Sequence, residues 1–172
     1  MAVVDITELI LSDHHEQRRM FAVLDDVDPS DAATLGVLWT RLSTMLEVHA
    51  QAEEELFYPE LLALGKRRHE DTEVDETKDA IADHNDIRGG ITEAAKHPVG
   101  SSDWWKGVEA AREANDDHMG EEEHEGLADF RRHVDLGTRH RIGVAFAAYE
   151  AANVDGVPIE DKDPEEYVRD HS

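Results

Sequence analysis

The chain contains no cysteine, which excludes disulfides and thiolate metal sites. Basic residues are scarce: 17 Lys and Arg stand against 41 Asp and Glu, a formal charge of −24 with histidines neutral. That balance excludes nucleic acid and anionic membranes as partners, because both need a basic surface. Long apolar runs are missing too, and none approaches the roughly 20 residues a membrane helix needs. The opening MAVVDITELILSDHH lacks a basic n-region and is interrupted by Asp5 and Glu8, so it does not read as a signal peptide. These absences point to a cytoplasmic protein of one domain, since 172 residues suffice for a single core.

Strand-type alternation is also absent, and apolar residues recur at helical spacing along most of the chain. A first helix is predicted over about 6–24, with Ile10, Leu11, Phe21 and Leu24 on one stripe. Pro29 and Ser30 are placed to start a second helix, which Pro59 bends or ends and which continues raggedly to Gly65. A charged connector, 66–76, leads to a third helix over about 76–96. Ser102 or Asp103 can cap a fourth, about 104–133. Gly137 stops the chain, and Thr138 can cap a short fifth helix over about 139–152. The fold class is therefore all-α: an antiparallel up-down four-helix bundle with a short extra helix, over residues 1–152. The acidic remainder, 153–172, is polar and expected to be loose.

Histidine is the residue in surplus, with 11 copies. DHHEQR at 13–18 is echoed by DHNDIR at 83–88. The echo continues: His49 and Glu53 form an H-x-x-x-E, and so do His118 and Glu122. His14 precedes His49 by 35 residues, and His84 precedes His118 by 34. Two helical hairpins of one design follow from this, each supplying one His from its first helix and a His/Glu pair from its second. Residues four apart on a helix differ by about 40° around the axis, so each pair projects from one face. Those faces continue the apolar stripes. Buried carboxylates cost several kcal/mol each when unpaired. Two of them among four imidazoles suit two divalent cations. His15, His69, His97, His133, His140 and His171 read as solvated faces or loops.

The constellation His14, His49, Glu53, His84, His118 and Glu122, in the settings DHHEQRRMF, HAQAEEELFYP, DHNDIRGGI and HMGEEEHEG, resembles the hemerythrin-like, or HHE cation-binding, family. The resemblance spans roughly residues 5–135. It implies a four-helix bundle of hemerythrin type around two non-heme irons, bridged by oxide or hydroxide. Oxygen carriers of that family use five histidines, including an H-x-x-x-H on the third helix; here Ala80 and Arg88 flank His84 at that spacing. Their fourth helix carries H-x-x-x-x-D, where this chain has Glu123, an alternative ligand to Glu122.

Two six-coordinate irons offer about twelve positions, of which four imidazoles and two bridging carboxylates fill about eight. The rest fall to water, an exogenous ligand or a phenolate. Tyr58 and Tyr149 are candidates, although Tyr58, five residues past Glu53, has a poor angle in a regular helix. Open positions favour small oxidants: hydrogen peroxide decomposition of catalase type, in oxidative or nitrosative stress. The alternative is an O2- or NO-binding sensor, or an iron store, without turnover.

Overall fold

The computed structural model describes residues 3–68 and 72–172; His69 lies outside them. Among the described residues every regular element is helical. Helix α1 (Ile6–Asp25) starts at Asp5, whose side chain accepts from the Thr7 amide. Helix α2 (Ala32–Ala52) starts two residues later than the Pro29–Ser30 signal, because Asp31 supplies the capping oxygen to Thr34. Pro59 does not end it. The chain instead passes through a π-helical turn, Glu53–Phe57, directly into α3 (Tyr58–Arg68). The Tyr58 amide reaches back to the Glu53 carbonyl, and Pro59 has no N–H to continue that wider ladder.

Helix α4 (Thr72–Ala95) begins four residues before its predicted start, shortening the charged connector. Helix α5 (Ser102–His124) is capped by Ser101 rather than Ser102 or Asp103. The predicted 104–133 helix is broken at Glu125, whose φ of −112° and ψ of −84° leave the helical region, and α6 (Gly126–His133) follows. Helix α7 (Leu136–Ala152) is capped by Asp135, which places Gly137 inside the helix instead of at a stop. The tail expected to be loose ends in α8 (Pro164–His171), with Tyr167 and Val168 buried.

Helices α1, α2 with α3, α4 and α5 form the bundle of hemerythrin type anticipated above; α7 lies against α1 and α2, and α8 against α4 and α3. The core has two apolar layers. One gathers Ile6, Ile10, Phe57, Leu61, Phe130 and Phe146, the other Phe21, Leu24, Leu35, Trp39, Leu42 and Trp104. Between them in chain order, on each long helix, lies one polar step: His14, His49 with Glu53, His84, and His118 with Glu122. Helices α4 and α5 approach closely enough that a Cβ on Gly90 would stand 2.4 Å from the Ala111 backbone, and one on Gly107 the same distance from Ala94. That close crossing brings His84 and His118 together.

Candidate metal centre

The polar step is buried. His14 and Glu53 are fully buried, and His49, His84, His118 and Glu122 are at most 7 % exposed. Their donor atoms converge. The Nε2 atoms of His84 and His118 are 3.2 Å apart, and Glu53 Oε2 lies 3.3 Å from the first and 3.6 Å from the second. The other Glu53 oxygen, Oε1, faces the opposite pair, 2.9 Å from His49 Nε2 and 4.0 Å from His14 Nε2. Glu122 Oε2 lies 3.4 Å from His14 Nε2. One carboxylate thus divides its oxygens between two histidine pairs. Despite these short distances, His14 Nε2, His49 Nε2, Glu53 Oε1 and Glu122 Oε2 have no hydrogen-bond partner of acceptable geometry. Four inward-facing donor atoms without partners in a buried cluster fit a shared cation.

The outward nitrogens explain the repeated hexapeptide. Each Nδ1 faces a carboxylate: Glu123 for His14 at 3.0 Å, Asp13 for His49 at 3.3 Å, Glu54 for His84 at 2.8 Å, and Asp83 for His118 at an ion-pair distance of 3.8 Å. The His14 and His84 contacts are hydrogen bonds, whereas His49 Nδ1 and Asp13 Oδ2 lack a partner of hydrogen-bond geometry and Asp83 stands at ion-pair distance from His118. Where Nδ1 shares a proton with its carboxylate, the Nε2 lone pair points inward, as a metal-ligating histidine requires. The Asp of each hexapeptide therefore supports the histidine on the next helix of its own hairpin. The residue after each inner Glu crosses over: Glu54 serves His84 of the second hairpin, and Glu123 serves His14 of the first. Each Arg then holds the crossing carboxylate, Arg18 on Glu123 at 2.8 Å and Arg88 on Glu54 at 2.9 Å. Glu123 thus lies outside the inner set, and Glu122 within it. Sequence spacing found the six inner residues; the supporting Asp13, Glu54, Asp83, Arg18 and Arg88 were visible only as unexplained repetition beside them.

Residues 5–128 match the family model of the hemerythrin HHE cation binding domain. The chain belongs to this family. No curated protein and no solved structure matches it. Within this hemerythrin-like domain, four of the inner residues, His14, Glu53, His118 and Glu122, have donor atoms all within 4.8 Å of one another, a set able to hold a metal ion.

The π turn has a consequence that regular helical spacing hides. With more residues per turn, it swings Tyr58 onto the face of Glu53, against the angle expected of an α-helix. The Tyr58 hydroxyl lies 3.3 Å from Glu53 Oε2 and 3.1 Å from Glu122 Oε1. Burial, then Glu122 and Glu53, push its pKa well up, so the phenol keeps its proton in the metal-free protein. Tyr149 is not part of the centre; its hydroxyl donates to Gln51 Oε1 at 2.9 Å.

The remaining electrostatics are those of a cluster holding protons. Burial pushes the His14 pKa down to about 4. Burial opposes charge on His118 as well, but Asp83, Glu53 and Glu122 outweigh it and raise that histidine to about 10. Burial and the Glu53 charge raise Glu122 to about 8. A cleft leads inward to Tyr58, His118 and Glu122, and its mouth carries Glu76, Asp79, Asp83, Glu121 and Glu125. Among the described residues no helix is long and apolar enough to cross a membrane.

Proposed function

We propose that this hemerythrin-like domain holds two non-heme irons and decomposes hydrogen peroxide. One ion would take His14 and His49, the other His84 and His118. Glu53, whose oxygens face both pairs, would serve both, and Glu122 would serve the His14 side. The nitrogen and oxygen donor set, with four inner atoms lacking partners, fits such ions. Bound iron would supply the redox electrons and the Lewis acidity. Two molecules of peroxide then give two of water and one of dioxygen, so no external reductant is needed.

The observation that carries the peroxide reading is the placement of Tyr58. Its hydroxyl bridges the two inner carboxylates at the floor of the cleft. The Tyr58 phenol there can donate a proton to peroxide in the cleft and recover one from Glu122. The acidic mouth favours a neutral oxidant over an anionic one. The carboxylates hydrogen-bonded to His14 and His84 favour the ligating tautomer there, and the enclosed site restricts access to small molecules.

The test is an oxygen electrode with iron-loaded protein and peroxide. Steady oxygen evolution supports the enzyme. A spectral change without turnover would instead assign an O2- or NO-binding module or an iron store. Tyr58→Phe should retain iron and lose about 10²–10⁴-fold in rate, the usual contribution of a positioned proton donor. Unchanged turnover in that variant would remove the phenol from the reaction.

A further inference from the structure

The two halves of the centre are built alike but finished differently. Glu123, which supports His14, is 24 % exposed and held by Arg18, itself 37 % exposed. Glu54, which supports His84, is fully enclosed and held by Arg88 from one side and by the C-terminal segment from the other. Lys162 Nζ lies 2.6 Å from Glu54 Oε2. The Lys162 backbone is clasped to the α4 helix next to His84: its N–H donates to Asn85 Oδ1 at 2.9 Å, and its carbonyl accepts from Asn85 Nδ2 at 2.7 Å. Tyr167, buried on α8, donates its hydroxyl to the Glu54 carbonyl. That carbonyl is free to accept it because Pro59, five residues on, has no N–H to complete the π ladder. The segment therefore grips both the backbone and the side chain of Glu54 and the residue after His84. Nothing comparable reaches Glu123 in the described structure.

We propose that residues 161–171 are a positioning element for one of the two metal positions: Lys162 and Tyr167 fix Glu54, Glu54 fixes His84, and the ion on His84 and His118 is released more slowly than the ion on His14 and His49. This rests on the two-metal reading above. The physical basis is that a ligating imidazole locked by its outer partner loses little freedom on binding, whereas one whose partner moves must be reordered each time.

The experiment uses full-length protein loaded anaerobically with iron(II) and mixed with excess chromogenic chelator. Wild type should carry two irons per chain and release them in a fast and a slow phase of equal amplitude. Lys162→Met should accelerate the slow phase by about 10–100-fold, the usual effect of losing an outer-shell partner, and leave the fast phase alone. Lys162→Arg should restore the slow phase. Lys78→Met is the control, because Lys78 ties the same segment to α4 through Glu165 at 2.7 Å without touching Glu54; it should leave both phases unchanged. Two irons with a single release phase, or a Lys162→Met variant that matches wild type or speeds both phases equally, would overturn the inference and leave the two-metal reading standing. Fewer than two irons in wild type would remove that reading, and this inference with it.

Discussion

At the scale of the residue, Glu53 is the pivot, because its two oxygens face different histidine pairs. His49→Ala or Glu53→Ala should lower iron content and melting temperature together, since ions bound as proposed would tie the hairpins to one another. Elemental analysis with thermal unfolding of as-purified protein checks this, and undiminished iron in both variants would remove them from the ligand set. Glu76 is a half-buried carboxylate of another kind. Burial, then the charges of Glu125, Glu73 and Asp129, raise its pKa from 4.5 to about 7, and its Oε2 has no hydrogen-bond partner. The folded protein thus binds the Glu76 proton more tightly than the unfolded chain does. Its effect on stability is therefore a loss as pH rises from about 4.5 through about 7. Glu76→Gln should flatten the fall in melting temperature across that window and melt higher than wild type near pH 8. Parallel profiles for the two proteins would refute the assignment.

At the scale of the element, the two hexapeptides show what burial does to one motif. Arg88 is 1 % exposed and serves both Glu54 and Glu47, whereas Arg18 is 37 % exposed and serves Glu123. Removing Arg88 strands the buried Glu47 and takes one cation from Glu54, which keeps Lys162 and His84. Arg88→Met should cost about 3–5 kcal/mol in denaturant unfolding, the range for breaking a buried pair. Arg18→Met should cost about 0–1 kcal/mol, because solvent screens the exposed pair. Similar losses in the two variants would contradict the asymmetry. Both second helices of the hairpins also depart from α geometry just after their inner glutamate: the π turn begins at Glu53, and α5 breaks at Glu125, three residues after Glu122. In the first hairpin the departure delivers Tyr58 to the centre.

At the scale of the whole molecule, the charge of −24 opposes compaction. Metal-free protein should therefore melt higher as sodium chloride is raised from about 0.01 M to about 0.15 M, where the screening length falls from about 30 Å to about 8 Å. A flat melting temperature over that range would mean that the acid groups are already balanced locally. The inner centre runs against the trend, since each of its carboxylates faces imidazoles rather than other surface acids.

How far each level could be read from the chain follows the range of the interactions behind it. The bundle, the two hairpins and the six inner donors were legible because helix periodicity and the i, i+4 pairing of His49 with Glu53 and His118 with Glu122 are local regularities. The direction of Tyr58 was not legible, since it depends on a π turn that the hydrophobic pattern does not announce. The docking of α8 was not legible because two apolar neighbours, Tyr167 and Val168, scarcely register in a polar stretch; their burial depends on α3 and α4 being already in place. The roles of Asp13, Glu54, Asp83 and Glu123 belong to the same class. The sequence by itself determined which residues share a helical face. Only tertiary packing decided which carboxylate meets which imidazole, because two of the four pairings cross between hairpins, and sequence separation does not record distance in space.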